Sequence, residues 1–325
     1  MPTIIKVGTF NVNNLFSRYN FKGEIDAIQD NDTNVESEFK YEFGSEDTFK
    51  IRTYRGKLVK AKNKKDTELV AKRIKQMGVD VLAVQEVEDI DTLREFNRDH
   101  LDSMYPYVVL IEGNDPRLID VGFLSRLPIG GITSWQKAVH SNDPDHPVFG
   151  RDLLEVEIMN ESRSQKIFTI FNNHLKSHFV PYDQDQVAGE QANNERRTRQ
   201  SEMIAKIVKT KTRPDSSFII LGDMNDPPGS APLQPFVANM ELNLTNALEN
   251  PTETRPPKQD TPPPASTAWT HRYKPSGQPA QYELYDQIWL SSPLADKMTG
   301  AWIDRRTKHG GDGSDHDLAW VELQL

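Results

Sequence analysis

Apolar residues recur along this chain in short runs separated by polar and turn-forming residues. Ile4–Phe10, Val79–Gln85, Tyr107–Ile111, Val121–Ser125, Leu153–Met159, Ile167–Asn172, Phe218–Leu221, Tyr285–Ser291 and Ala319–Leu323 read as strands. Helical spacing shows in fewer places. Residues 66–77 put Val70, Ile74 and Met77 on one face, with Asp66 as the expected N-cap and Gly78 just past the end. Residues 195–209 carry Met203, Ile204, Ile207 and Val208 on one stripe, and Asp91–Arg98 is a shorter candidate. Strands outnumber helices, and many follow one another with no helix between them. This pattern predicts an α/β four-layer sandwich, two packed mixed β-sheets flanked by helices.

Two stretches interrupt the pattern. Residues 17–65 are acidic from Glu24 to Asp47 and basic from Arg52 to Lys65. They read as a solvated excursion, with a lid or substrate arm as the sharper alternative. Within them Asp30-x-Asp32-x-Asn34 opens like a calcium loop, but Val35 stands where glycine is needed and Tyr41 where glutamate is needed. Residues 250–280 are rich in proline and read as an irregular surface loop with extended stretches. No linker divides the remainder, so residues 1–325 are expected to form a single domain with insertions at about 17–65 and 250–280.

Composition narrows the class. The 325 residues are 36% hydrophobic and 27% charged, and no run approaches the roughly 20 apolar residues of a membrane span. Cysteine is absent, which excludes disulfides and thiolate metal sites and leaves oxygen and imidazole as metal ligands. Met1–Phe10 reads as a strand rather than a leader, so the expected location is cytoplasmic; secretion would need a leader ahead of it. The net charge of −9 argues against tight coating of nucleic acid, though not against phosphate chemistry at a locally basic, metal-holding site. No protein partner is legible.

Polar residues suited to metal binding or proton transfer sit repeatedly at strand ends. Asn11 and Asn13 follow the first strand, Glu86 the second, and His174 the run beginning at Ile167. Asp223 and Asn225 follow Phe218–Leu221, Asp286 opens a strand, and Asp315 and His316 precede the last one. Strand ends on one edge of packed sheets converge on a single cleft. Singly, each of these would be an ordinary solvated or structural side chain. The stretch His140-Ser-Asn-Asp143-Pro-Asp145-His146 has metal-binding residue types, but its prolines make it a loop.

The order and context of the strand-end residues resemble the endonuclease/exonuclease/phosphatase family. The resemblance rests on Gly8-Thr-Phe-Asn11-Val-Asn13, Val84-Gln-Glu86-Val, Val121-Gly-Phe-Leu-Ser-Arg126 and Asn172-Asn-His174-Leu-Lys-Ser177. It continues through Leu221-Gly-Asp223-Met-Asn225-Asp, Tyr285-Asp286-Gln-Ile and Ser314-Asp315-His316. The resemblance implies a divalent-metal-dependent phosphodiesterase. Glu86 would be the metal carboxylate, with Asn11 and Asp315 helping; the ion would be Mg2+ or Mn2+, or else Ca2+. Asp223 would orient and deprotonate the attacking water, and Asn225 would donate to a phosphate oxygen. His316, with Asp286 as partner, would stabilise negative charge. His174 marks the deoxyribonuclease-, sphingomyelinase- and inositol-phosphatase-like branches, with Asp120 as its candidate acidic partner.

For the substrate, the Asn-His-Leu-Lys-Ser element resembles bacterial nuclease members. Nucleic acid is the first choice, with Lys176, Asn13, Arg196, Arg197 and Arg199 as candidate contacts. A phospholipid or sugar-phosphate esterase is the runner-up, and a catalytically inactive binding module is the third reading. Two departures limit transfer of DNA specificity. Glu88 stands where pancreatic deoxyribonuclease has an arginine, and Asn13 where abasic-site endonucleases have an aspartate.

Overall fold

The computed structural model describes residues 3–17, 62–256, 260, 262–307 and 312–325. Along the chain come β1 (Ile4–Leu15), α1 (Lys64–Met77), β2 (Val81–Val87), α2 (Ile90–His100), β3 (Tyr107–Leu110), β4 (Asp120–Ser125) and β5 (Ile129–Ser134). A small hairpin, β6 (Val139–His140) and β7 (Asp143–Pro147), leads to β8 (Leu153–Met159), β9 (Lys166–His174), α3 (Gln186–Lys211) and β10 (Phe218–Asp223). Then follow α4 (Gln234–Val237), β11 (Thr245–Asn246), β12 (Thr252–Glu253), β13 (His271–Tyr273), β14 (Gln281–Glu283), β15 (Asp286–Leu290), α5 (Ser292–Ala295), β16 (Met298–Asp304) and β17 (Leu318–Gln324).

The two large sheets have seven strands, in the order β12-β16-β17-β1-β2-β4-β3, and six strands, in the order β11-β15-β10-β9-β8-β5. Both are mixed: β1 pairs parallel with β2 and antiparallel with β17, and β10 pairs parallel with β9 and antiparallel with β15. Side chains alternate across each strand, so each sheet buries two faces. One core joins the inner faces, with Val7, Val81 and Phe123 from the first sheet against Val156, Ile219 and Ile288 from the second. A second core lies between Phe10, Leu82 and Leu124 and the apolar faces of α1 (Val70, Ile74) and α2 (Leu93, Phe96). A third packs Phe171, Ile220 and Trp289 against Met203, Ile204 and Ile207 of α3. Three apolar layers separate four structural ones, as the strand pattern predicts.

Local signals differ from expectation in places. The N-cap of α1 is Asn63, whose side chain accepts the Asp66 N–H at 2.9 Å. Asp66 instead sits in the first turn, where its charge faces the positive end of the helix dipole. Gly78 does close the helix, at φ 59°. Helix α3 begins well before residue 195, capped by Asp185 on the Val187 and Ala188 N–H groups. The buried residues toward its N-terminal part, Asn193, Arg197 and Gln200, are polar, so apolar spacing cannot report them. Edge strand β5 and its counterpart β16, next to the short edge strand β12, also lack a continuous apolar run.

Residues 18–61, including the calcium-like Asp30–Asn34 and the proposed lid, lie outside the described residues. The proline-rich segment is more integrated than a surface loop. It supplies β12 to the edge of the first sheet, buries Trp269 and Thr270, and begins β13 at His271. Among the described residues no helix is long and apolar enough to cross a membrane.

Candidate active site

Strand direction assembles the site. Because β1 runs parallel to β2, and β9 to β10, the ends carrying Asn11, Glu86, His174 and Asp223 share one edge of the sandwich. The antiparallel neighbours β15 and β17 begin at that edge and bring Asp286 and His316 to it. Asp223 is in register with His174 on one side and Asp286 on the other. Two buried amide contacts lock the sheets together here. Asn11 Nδ2 donates to Asp223 Oδ2 at 2.9 Å, and Gln85 Nε2 donates to Asn172 Oδ1 at 2.8 Å. These side chains give the polar residues flanking Glu86 and His174 a physical reason: they hold the edges of the two sheets at fixed spacing.

The backbone at these positions is unusual. The β1–β2 register breaks between Asn11 and Leu15, and Glu86 has φ 64°, a conformation L-residues seldom adopt. The bulge turns Glu86 out of the ladder, where its Oε2 accepts the Asn14 N–H at 2.9 Å. Gly222 has φ 127°, and a Cβ there would stand 2.0 Å from the Asn173 carbonyl oxygen, so only glycine brings β10 this close to β9. Ser314 Oγ donates to the Asn11 carbonyl (2.7 Å) and accepts the His316 N–H (3.0 Å), tying the loop before β17 to β1.

Burial and charge set the protonation states. His316 Nδ1 lies 2.7 Å from Asp286 Oδ2, and its Nε2 lies 3.8 Å from Asp223 Oδ2. Burial alone would pull the ring's pKa down. Asp286 and Asp223 outweigh it and hold His316 well above its ordinary value, as an imidazolium. Asp223 is raised to about 6 by burial, against the pull of His316. Its two oxygens are fixed by Asn11 and by the Asn225 N–H, which reaches Oδ1 at 2.9 Å. His174 is pushed well below its ordinary value by burial and then by the Arg151 charge. It therefore faces Asp223 (3.6 Å) and Glu86 (4.0 Å) as a neutral ring, not as an ion-pair partner. Glu86 is raised by burial and then by Asp315. An NMR titration should find His316 still protonated above pH 6.5 and His174 neutral well below it; a His316 midpoint under 6.5 would contradict the Asp286 pairing.

The other sequence candidates divide. Asp315 is half exposed at the mouth of the site. Asn13 has φ 49°, and its carbonyl accepts from Lys62 Nζ at 2.7 Å. Lys176 is drawn down to about 8 by burial and then by Arg151 and Arg117. Asn225 Nδ2 donates to the Leu175 carbonyl at 3.1 Å. The three arginines of α3 do not form one cluster. Arg197 is fully buried, donating from Nε to Asp226 Oδ2 (2.6 Å) and from Nη1 to the Lys176 carbonyl (2.8 Å), so it clamps the helix to the site loops and cannot reach a phosphate. Arg196 and Arg199 are partly exposed. Asp120 is not bonded to His174: its Oδ1 accepts the Gly113 N–H at 2.8 Å, and its Oδ2 and His174 Nδ1 are both buried without a hydrogen-bond partner. Burial raises the Asp120 carboxyl to about 8. Glu88 is buried and accepts the Ser17 N–H at 2.8 Å, which removes it from any DNA-facing role. The His140–His146 stretch is a small hairpin whose pairs, His140–Glu202 and His146–Asp143, are side-chain contacts of its own surroundings.

Two residues next to the site carry no sequence signal. Arg151, just before β8, is buried, donates to the Leu175 carbonyl at 2.8 Å and places positive charge near Glu86 and Asp223. His271, at the end of the proline-rich segment, stacks on Tyr285 and sits 4.9 Å, centroid to centroid, from His316. Burial and then the His316 charge lower its pKa to about 4.

A divalent cation fits this donor set. Glu86, Asn11 and Asp315 offer oxygen ligands, and Glu86 and Asp315 repel each other in a way a cation would relieve. Among the described residues, two groups of three have metal-ligating atoms within 4.8 Å of one another, Asp223–Asp286–His316 and His271–Asp315–His316; Glu86 belongs to neither.

Comparison with known proteins bears on the fold and the family. The family model for the endonuclease/exonuclease/phosphatase family matches residues 8–316. An AP endonuclease from Archaeoglobus fulgidus superposes with a TM-score of 0.59 at 15% identity, covering 99% of this chain and 100% of that one. TDP2 of D. rerio, complexed with single strand DNA product, superposes with a TM-score of 0.57 at 13% identity, covering 99% and 100%. An endonuclease/exonuclease/phosphatase family protein from Bacteroides thetaiotaomicron gives 0.55 at 13%, covering 99% and 95%. At such identities the likeness shows the fold alone. No curated protein matches by sequence. With the family model spanning nearly every strand and every residue of the cleft, the chain belongs to the endonuclease/exonuclease/phosphatase family.

Proposed function

We propose that the protein is a Mg2+- or Mn2+-dependent phosphodiesterase that hydrolyses nucleic-acid backbones by direct attack of water. The observation that carries the reading is the pairing at Asp223. A buried carboxylate with a pKa near neutrality stands between a neutral histidine, His174, and a charged one, His316. A general base works best when its pKa lies near the operating pH, and a positioned cation stabilises charge developing on a phosphoryl oxygen. Asp223 takes the proton of the attacking water, its aim fixed by Asn11 and the Asn225 N–H. His316 presents Nε2–H to a phosphate oxygen while Asp286 holds Nδ1. His174 contributes a neutral ring whose Nε2 faces the same space. The remaining amide N–H of Asn225 is the donor for a second phosphate oxygen. Glu86, Asn11 and Asp315 would hold the divalent ion, which when bound neutralises the phosphate's non-bridging oxygens.

Nucleic acid is favoured over lipid and sugar phosphate by the positive charge around the cleft of an otherwise acidic chain. Lys176 flanks the centre within the field of Arg117 and Arg196, and Arg199 is the other partly exposed arginine of α3. Both AP endonuclease and the DNA-bound TDP2 share the fold. Reversing Arg196 and Arg199 to glutamate should raise KM for a polynucleotide and make its salt dependence shallower by about one unit for each phosphate that is no longer neutralised. Hydrolysis of a small chromogenic phosphodiester should change little. The deciding measurement is a panel of DNA, RNA, phospholipid and phosphomonoester substrates with Mg2+ and with chelator. Intact DNA and RNA beside a cleaved phospholipid headgroup or sugar phosphate would overturn the nuclease reading and leave the metal phosphoesterase.

A further inference from the structure

We infer that His271, Asp315 and His316 Nε2 form a second, inhibitory site for Zn2+ at the mouth of the active site. The inference rests on the reading of Asp315 and His316 as parts of the catalytic centre. One ligand atom from each of the three residues lies within 4.8 Å of the others, with His271 Nε2 4.0 Å from Asp315 Oδ2, and Nε2 is the His316 nitrogen that Asp286 leaves open. A backbone bridge pairs His271 with His316, and their ring centroids lie 4.9 Å apart. Zinc bonds of about 2.0–2.2 Å in tetrahedral geometry put ligand atoms roughly 3.3–3.6 Å apart. The set therefore needs to close by about 1 Å, and Asp315, half exposed on its loop, is the member free to do so.

The donor types favour zinc over the ion that serves catalysis. Magnesium takes oxygen ligands and sheds water reluctantly, whereas two imidazoles and a carboxylate suit Zn2+ and leave a fourth position for water. The surroundings are those of a prepared ligand. A carboxylate on the far nitrogen orients a metal-binding histidine, and His316 Nδ1 is held by Asp286 at 2.7 Å. The His271 ring is held by stacking on Tyr285, at 5.1 Å and 15°. The catalytic scheme gives His271 nothing to do. Zinc at this site would withdraw Asp315 from the catalytic ion and occupy the His316 nitrogen that faces the phosphate. Binding at Nε2 releases that nitrogen's proton to solvent.

The test compares the wild-type protein with His271→Phe, which keeps a ring on Tyr285 but no donor atom, and with His271→Ala. With saturating Mg2+, micromolar Zn2+ should inhibit the wild type. Both variants should keep wild-type activity in Mg2+ alone and need about tenfold more Zn2+ or higher for half-inhibition. Co2+ added to metal-free protein should give a visible d–d absorption in the wild type that is weakened in both variants. Equal Zn2+ sensitivity across the three proteins, or identical Co2+ spectra, would overturn the site. The spectra need no turnover. A His271-dependent Co2+ band in a protein that hydrolyses no phosphoester would therefore retain the metal site while removing the enzymatic reading.

Discussion

Asp223→Asn should lower kcat by on the order of 10²-fold or more with the fold retained, and His316→Ala should do the same. Among the described residues, Asp223 is the one carboxylate that faces both His174 and His316, at 3.6 and 3.8 Å. Asparagine keeps its shape but cannot accept a proton at neutral pH. The substitution is not silent for the local network. Both Asp223 oxygens accept hydrogen bonds, from Asn11 and from the Asn225 N–H. An amide there must turn an NH2 group toward one of these donors, a mismatch costing about 1–3 kcal/mol, which a multi-layered core of this size tolerates. Far-UV circular dichroism separates that cost from the chemical one.

The pH profile adds a check. A base acts deprotonated, so wild-type activity should rise as pH passes about 6, the Asp223 value, or lower when a bound cation assists ionisation. An acid or charge stabiliser acts protonated, so activity should fall as pH passes the raised His316 value. In Asp223→Asn the acid limb should disappear, and the alkaline limb should move down because His316 loses one of the carboxylates that hold its proton. A native spectrum with an unchanged rate would remove the residue from the mechanism.

Glu86→Gln should lower activity by at least about tenfold and weaken Mg2+ affinity, and excess chelator should abolish wild-type turnover. The partly buried Glu86 carboxyl is already raised by loss of solvent and by Asp315, so its charge is poorly supported without a cation. Glutamine preserves an acceptor for the Asn14 N–H and removes that charge, so the metal-free variant should melt no lower than the metal-free wild type. The contrast should appear on adding Mg2+. An ion at 100 times its Kd stabilises the folded state by about 2.7 kcal/mol, raising the Tm of the wild type, and the variant should show a smaller rise at the same concentration. Full activity in chelator, or equal Mg2+-induced Tm shifts, would exclude Glu86 as the metal carboxylate.

Much of this architecture is legible in the order of residues. Buried central strands β2 and β10 open with the continuous apolar runs Val81–Val84 and Phe218–Leu221 because both of their faces are covered there. Edge strand β5 has one side of the ladder and much of its surface open, and β16 is flanked on its outer side only by the two-residue β12, so both lack that signature. The N-terminal part of α3 is hidden for a related reason: what it buries is Asn193, Arg197 and Gln200. Within the site, the strand-end residues Asn11, Glu86, His174, Asp223, Asp286 and His316 are legible together. A residue that directly follows a core run is delivered to the sheet edge by the run itself.

By itself, then, the sequence determined the alternation of apolar runs, hence two covered sheets, and the polar residue types that end them. Those are local quantities, set by side-chain period and backbone propensity. Only the tertiary structure decided where long side chains go and what they meet across the fold. Arg196, Arg197 and Arg199 look equivalent in sequence, yet helix rotation buries Arg197 against Asp226 and leaves the other two partly exposed. Asp120 and His174 are an expected pair, but each is held by its own strand and they do not bond. Arg151 enters the site from a loop and His271 from the three-residue strand β13, too short to show a periodicity, and they are placed by contacts with Leu175 and Tyr285 that chain spacing does not encode.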